Sequence, residues 1–177
     1  MKRIIAYIWS WIVSKSIKIT IKNGTLVGTC TQKDGILSFK GIPYAQPPVG
    51  ELRWKAPQPP KHWMGELDAT KYATKAWAAP VYGGTIDQSE LSEDCLYLNI
   101  WTPSLEKSNL PVMVFIHGGG FQFGTGSDDA HNGTSIAKKD VILITINYRL
   151  GIFGYLSLPE LDEESHGQKS GMYGILD

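Results

Sequence analysis

Four consecutive residues, His117-Gly118-Gly119-Gly120, are the part of this chain whose types and spacing can do chemistry. They follow the apolar run Val112 to Ile116 directly and are followed by Phe121. A continuous apolar run is expected to be a strand buried on both faces, and glycines at its end mean that bare backbone comes close to something. Without a Cβ, successive peptide planes can turn, φ > 0 included, until two neighbouring N–H groups converge on one oxygen acquiring negative charge. Such a pair is an oxyanion hole, the device that stabilises the tetrahedral intermediate of acyl transfer. The plain alternative is a loose loop at a strand end. His117 in front, Phe121 behind and the strand leading in set this run apart from a bare Gly-Gly-Gly. His117 itself is read as structural, because a general base must reach a nucleophile.

The elements that position this run are legible from patterning. Ile17 to Lys22 and Thr25 to Cys30 are β-prone runs joined by Asn23-Gly24, a hairpin signal, and Ile36 to Lys40 follows the Lys33-Asp34-Gly35 turn. These predict a small antiparallel meander. Prolines at 43, 47, 48, 57, 59 and 60 make the next stretch an ordered surface loop. Asp68 to Lys75 is expected to form a short helix and Ala78 to Leu91 a polar loop. Leu96 to Trp101 alternates as a strand ended by Thr102-Pro103. Val112 to Ile116 and Val141 to Asn147 read as parallel strands covered on both faces. A crossover with a short helix near Thr134 to Lys139 joins them. The acidic stretch Glu160 to Glu164 reads as a solvated loop. The expectation is therefore an α/β fold, an antiparallel start leading into a parallel centre.

At 177 residues the chain has room for one domain with a sizeable core. Its 17 basic and 17 acidic residues cancel, which leaves no electrostatic footprint for nucleic acid and no polybasic patch for a membrane. Two cysteines, Cys30 and Cys95, make neither a disulfide scaffold nor a zinc set. His62, His131 and His166 lack metal-ligand spacing and are expected at the surface, so neither a metal nor another cofactor is expected. Lys2 and Arg3 precede a largely apolar run from Ile4 to Val13 that is too short to span a bilayer. Residues 1–16 are read as an extension that is either a signal or interfacial anchor, or a leader strand. Residues 17–177 are read as part of a single domain.

Several segments read together resemble the type-B carboxylesterase and cholinesterase family of α/β-hydrolases. They are Phe39 to Ala45 with Pro47-Pro48-Val49-Gly50, Glu93 to Trp101, His117 to Phe121, Tyr148 to Gly154 and Gly174 to Asp177. The match is most like bacterial p-nitrobenzyl-type carboxylesterases and covers only their N-terminal part. The resemblance implies an incomplete α/β-hydrolase fold in which the N–H groups of Gly119 and Gly120 hold the oxyanion and Gly118 shapes the approach. It also implies ion pairs Arg53 with Glu93 and Arg149 with Asp177, expected to be buried. Phe121, Phe123 and the loop from Gly124 to Asn132 are expected to line the substrate pocket. Trp54, Trp63 and Trp101 serve as core or loop anchors. Cys95 stands where relatives carry half a disulfide, but Ala76 occupies its partner's place, so a free buried thiol is expected. That absence leans toward a reducing, cytoplasmic compartment over secretion.

The departure from the family concerns mechanism. No Gly-x-Ser-x-Gly occurs between Met1 and Asp177. In this fold the serine is followed in the chain by the acid and the histidine. The chain thus carries the scaffold and part of an oxyanion hole without a recognisable triad, and is expected to be catalytically silent alone. The readings it leaves are the N-terminal part of a serine carboxylesterase acting on small-molecule esters, a non-catalytic cholinesterase-like binding or adhesion protein, and a truncated inactive product. A nucleotide-binding loop lacks Gly-x-Gly-x-x-Gly and Gly-Lys-Ser/Thr and falls behind these.

Overall fold

The computed structural model describes residues 15–31, 33–78, 88–164 and 170–177. In chain order the strands are β1 (Lys15–Ile21), β2 (Gly24–Cys30), β3 (Leu37–Pro43), β4 (Glu66–Asp68), β5 (Lys75–Ala76), β6 (Leu91–Ser92), β7 (Tyr97–Thr102), β8 (Val112–Ile116) and β9 (Ile142–Ile146). The helices are α1 (Thr134–Ala137), α2 (Gly151–Tyr155), α3 (Pro159–Glu164) and α4 (Tyr173–Leu176), with 3-10 turns between. A mixed sheet runs in the order β1-β2-β3-β7-β9-β8, and β4 pairs with β2 off this path.

The meander forms as patterned: β1, β2 and β3 pair antiparallel, with Ile17 opposite Gly28 and Ile19 opposite Leu26. Ile17 and Ile19 turn inward onto a core of Leu26, Leu37, Phe39, Ile42 and Ala69. Trp63 closes the hairpin turn by donating Nε1–H to the Thr25 carbonyl at 3.1 Å. In the middle of the sheet Trp101 and Leu143 pack with Ile36 and Ala137. β9 then pairs antiparallel with β7 and parallel with β8, Val114 lying opposite Ile144.

The structure corrects the sequence reading in four places. β8 is not buried on both faces: among the described residues it is the last strand of the sheet, and Val112, Met113, Val114 and Ile116 are 50 to 65% exposed. An apolar run reports that a strand is suited to burial, while burial itself depends on what lies beside it. β9 lies between two strands, yet its burial alternates residue by residue. Residues 68–75 form no helix. Asp68 Oδ1 instead accepts from the Thr70 amide at 3.0 Å and hydroxyl at 2.6 Å, a local turn that competes with helix formation. Residues 160–164 are helical, because Pro159 pre-sets the first turn and Glu160 and Asp162 complement its positive end. The expected loop from Ala78 to Leu91 lies partly outside the described residues, as do His166 and residues 1–14.

Candidate functional site

His117 leaves the end of β8 and is 3% exposed, with its ring stacked on Tyr148 at a centroid distance of 4.4 Å and 16° between planes. Beyond it the backbone turns sharply, with φ of +134° at Gly119, +60° at Gly120 and +64° at Phe121. The Gly119 carbonyl is folded back to accept from the amides of Gln122 at 3.1 Å and Phe123 at 3.3 Å. A Cβ on Gly119 would lie 1.9 Å from the Phe123 carbonyl oxygen, so only glycine fits. Among the described residues the amides of Gly119 and Gly120 donate to no acceptor. Gly118 differs from its neighbours in its ordinary φ; a Cβ there, as at Gly120, would meet nothing within 4 Å, and its carbonyl accepts from His117 Nδ1 at 3.0 Å.

The loop is tied down on both sides. Phe121 accepts the Gly151 amide at 2.7 Å through its carbonyl, which fixes the loop to the start of α2, and its ring rests on Tyr155 at 4.7 Å. Downstream, residues 125–127 are bolted to β7 and to the end of β9 by two buried asparagines. Asn99 Nδ2 donates to the Gly126 carbonyl at 3.2 Å and to Thr145 Oγ1 at 3.0 Å, while its Oδ1 accepts the Gly41 amide at 2.9 Å. Asn147 Oδ1 accepts from the Gly126 amide at 2.8 Å and Thr125 Oγ1 at 3.0 Å. Its Nδ2 donates to Ser127 Oγ at 3.0 Å and the Thr74 carbonyl at 3.2 Å. Asn99, Thr145 and Asn147 are fully buried. Patterning missed this network, although the polar Asn99 between Leu98 and Ile100 was a signal, since buried amides persist only when their partners are supplied.

The two arginine pairs differ in setting. Arg149 and Asp177 are sealed, with side-chain exposures of 2% and 0%. Nε and Nη2 of Arg149 donate to the Asp177 carboxylate at 2.8 and 2.5 Å, its backbone amide donates to the same group at 3.0 Å, and Nη1 donates to the Lys55 carbonyl at 2.8 Å. Arg53 also grips Glu93 bidentately, at 2.5 and 2.7 Å, but this pair is 40% and 22% exposed and so departs from the expected burial.

A cavity of about 740 Å³ opens beside Gly120, lined also by Phe121, Gln122, Trp77, Ile152, Phe153 and Tyr155 among others, with no charged side chain among the described residues of its wall. Phe123, expected there, is not among its walls. A smaller cleft of about 210 Å³ runs from Ile116 past Phe121 and Tyr148 to Asp177. A third, of about 410 Å³ between Tyr72, Glu90, Asp128 and Asp129, has none of the three glycines in its walls. Burial pushes the imidazole of His117 below its ordinary range, aided by His131 and opposed by the Gly118 carbonyl. His131 is half-buried and packs on Phe115 at 4.7 Å, where a surface position was expected. Both thiols are free, and burial, first among several causes, drives the Cys95 thiol well above its ordinary range. No group of three or more metal-ligating side chains occurs among the described residues.

The family model described as "Carboxylesterase family" matches residues 15–177. The chain belongs to the carboxylesterase family. Fumonisin B1 esterase of Sphingopyxis macrogoltabida is 45% identical over 141 residues, covering 79% of this chain and 26% of that protein. Para-nitrobenzyl esterase of Bacillus subtilis is 45% identical over 149 residues, covering 82% and 30%. Among solved structures the Geobacillus stearothermophilus carboxylesterase superposes with a TM-score of 0.79 at 40% identity, over 90% of this chain and 31% of that one. The chain therefore spans less than a third of these relatives, and its mixed sheet is the N-terminal part of the α/β-hydrolase fold that carboxylesterases share. Ester hydrolysis is the activity common to these relatives' names. No helix among the described residues is long and apolar enough to cross a membrane.

Proposed function

We propose that this chain supplies the anion-binding half of a serine carboxylesterase site, with Gly119 and Gly120 donating their amides to the oxyanion of an ester under attack. The observation that carries this is the pair of unengaged amides after β8, of which that of Gly120 belongs to a residue lining a cavity whose described walls hold no charged side chain. Preorganised amide donors of an oxyanion hole are each worth roughly 3 to 4 kcal/mol of transition-state stabilisation, since no reorganisation is needed as charge develops. Phe121 walls the substrate side.

The attacking serine must come within reach of the same carbonyl. The unpaired side of β8 offers the approach: a strand added there ends next to Gly119 and Gly120. The acyl-enzyme chemistry of the whole protein follows from that arrangement. Without the serine the loss in turnover is on the order of 10⁶, so residues 1–177 alone are proposed to be silent.

The test is a chimera in which residues 15–177 replace the matching segment of the Bacillus subtilis para-nitrobenzyl esterase. It should hydrolyse p-nitrophenyl acetate and bind a trifluoromethyl ketone at least about 100-fold tighter than the corresponding methyl ketone. A chimera that is folded by circular dichroism yet has neither property rejects the reading. A non-catalytic, cholinesterase-like binding protein is the second reading. Saturable binding of an intact ester by the 177-residue chain, together with an inactive chimera, would favour it.

A further inference from the structure

The glycine loop is held by a device that no glycine supplies. Tyr148 Oη donates to the His117 carbonyl at 2.9 Å, and its ring lies stacked against the His117 imidazole. The imidazole turns back on its own chain, Nδ1 meeting the Gly118 carbonyl at 3.0 Å. A carbonyl only accepts, so Nδ1 carries the proton and Nε2 the lone pair. Gly124 presses on the same point: a Cβ there would lie 2.3 Å from both His117 Nδ1 and the Gly118 oxygen. His117 and Tyr148 are 3% and 6% exposed, so both bonds are sheltered from competing water. In the trans peptide between Gly118 and Gly119 this carbonyl and the Gly119 N–H lie in one plane and point in opposite directions. Anchoring the oxygen inward therefore aims the Gly119 N–H outward.

We infer that His117, as its Nδ1–H tautomer, and Tyr148 are positioning residues that set the direction of the Gly119 amide. The inference rests on the esterase reading of that amide for its catalytic meaning, but its geometry is testable without it. His117 acts through the Gly118 peptide and takes no proton from substrate. His117 Nε2 is buried without a described partner, so the single bond from Nδ1 is what orients the ring's polar edge.

The experiment uses nuclear magnetic resonance on the 177-residue chain. In the unmodified protein, imidazole ¹⁵N shifts should show Nδ1 protonated and Nε2 bare at pH 7; the opposite tautomer overturns the inference. Asparagine places an amide nitrogen near the position of Nδ1, whereas glutamine reaches the position of Nε2. His117→Asn should therefore leave the Gly119 and Gly120 amide resonances in place and His117→Gln should displace them. Equal behaviour of the two variants overturns it. Tyr148→Phe keeps the stack and removes one bond, so exchange of the Gln122 and Phe123 amides should quicken about ten-fold while Leu26 in β2 keeps its rate. An unchanged loop, or equal acceleration at Leu26, counts against the inference. Should the chimera prove inactive while the tautomer and variant results hold, the esterase reading fails and the positioning role stands.

Discussion

The two edges of the sheet are finished by opposite means. β1 interleaves Ser16, Lys18 and Thr20 with Ile17 and Ile19, so its outer face is polar, and Lys18 pairs with Glu66 at 2.6 Å in solvent. β8 is Val-Met-Val-Phe-Ile with no polar residue, and four of its five side chains are more than half, or close to half, exposed. Natural edges carry charge because an open row of N–H and C=O groups recruits other strands. β1 obeys that rule and β8 does not, although the same sheet contains both. The difference teaches that the composition of β8 suits a strand covered by neighbours, while among the described residues it is paired on its β9 side alone. The support behind each edge differs in the same sense: an exposed Lys18–Glu66 pair at one end, a sealed Arg149–Asp177 pair at the other.

The sharpest way to break this comparison is to neutralise one carboxylate at each end. Asp177→Asn leaves the Arg149 guanidinium buried without its counter-charge and should lower urea stability by about 3 to 5 kcal/mol. Glu66→Gln, between groups that are half in solvent, should cost at most about 1 kcal/mol. Similar losses at the two sites would mean that the β8 end is as solvated as the meander.

Association comes next in size. The chain should self-associate through β8, and sedimentation of Val114→Lys should move the midpoint to about ten-fold higher concentration, as loss of about 1.4 kcal/mol requires. Lys18→Val should move it the other way by opening β1. If Val114→Lys sediments like the parent, the β8 edge is not what recruits a neighbour.

A smaller effect is set by pH. The folded imidazole of His117 titrates below its unfolded range, so the unfolded chain binds the proton first. Stability is therefore complete above pH about 6.5 and declines as pH falls through that value toward the folded one. His117→Asn should flatten the slope between pH 5 and 7 in thermal melts; an unaltered slope would place the titrating group elsewhere. The mildest contrast is between thiols. Cys30 on β2 is half-buried and should react with a maleimide in the native chain, while buried Cys95 should wait for unfolding. Equal labelling by mass spectrometry would show that the packing around Cys95 opens as readily as the meander.

Much of the fold was legible because it is local. Asn23-Gly24 specifies the β1–β2 hairpin whatever surrounds it, and Leu96 to Trp101 announces β7 by alternation. The glycine run marked the candidate site for the same reason, since missing Cβ atoms are a property of the residues themselves. What eluded patterning depends on distant partners. Asn99 and Asn147 are ordinary polar letters until Gly41, Thr74 and Gly126 arrive from three other segments to satisfy them. Asp68 to Lys75 had helical composition, but an aspartate turn and pairing of β4 with β2 outcompeted it. Gly118 is glycine in the sequence for a reason that its φ and its open surroundings do not show.

The amino-acid order alone determined the meander, the apolar strand, the glycines after it and the absence of a serine elbow, because each follows from side-chain chemistry within a few residues. Only the tertiary structure decided that β8 is left exposed among the described residues, that Arg149 is sealed where Arg53 is not, and that a histidine and a tyrosine far apart in the chain hold one peptide plane. Those facts are relations between separated segments, and burial and hydrogen-bond direction exist only once the chain has brought the segments together.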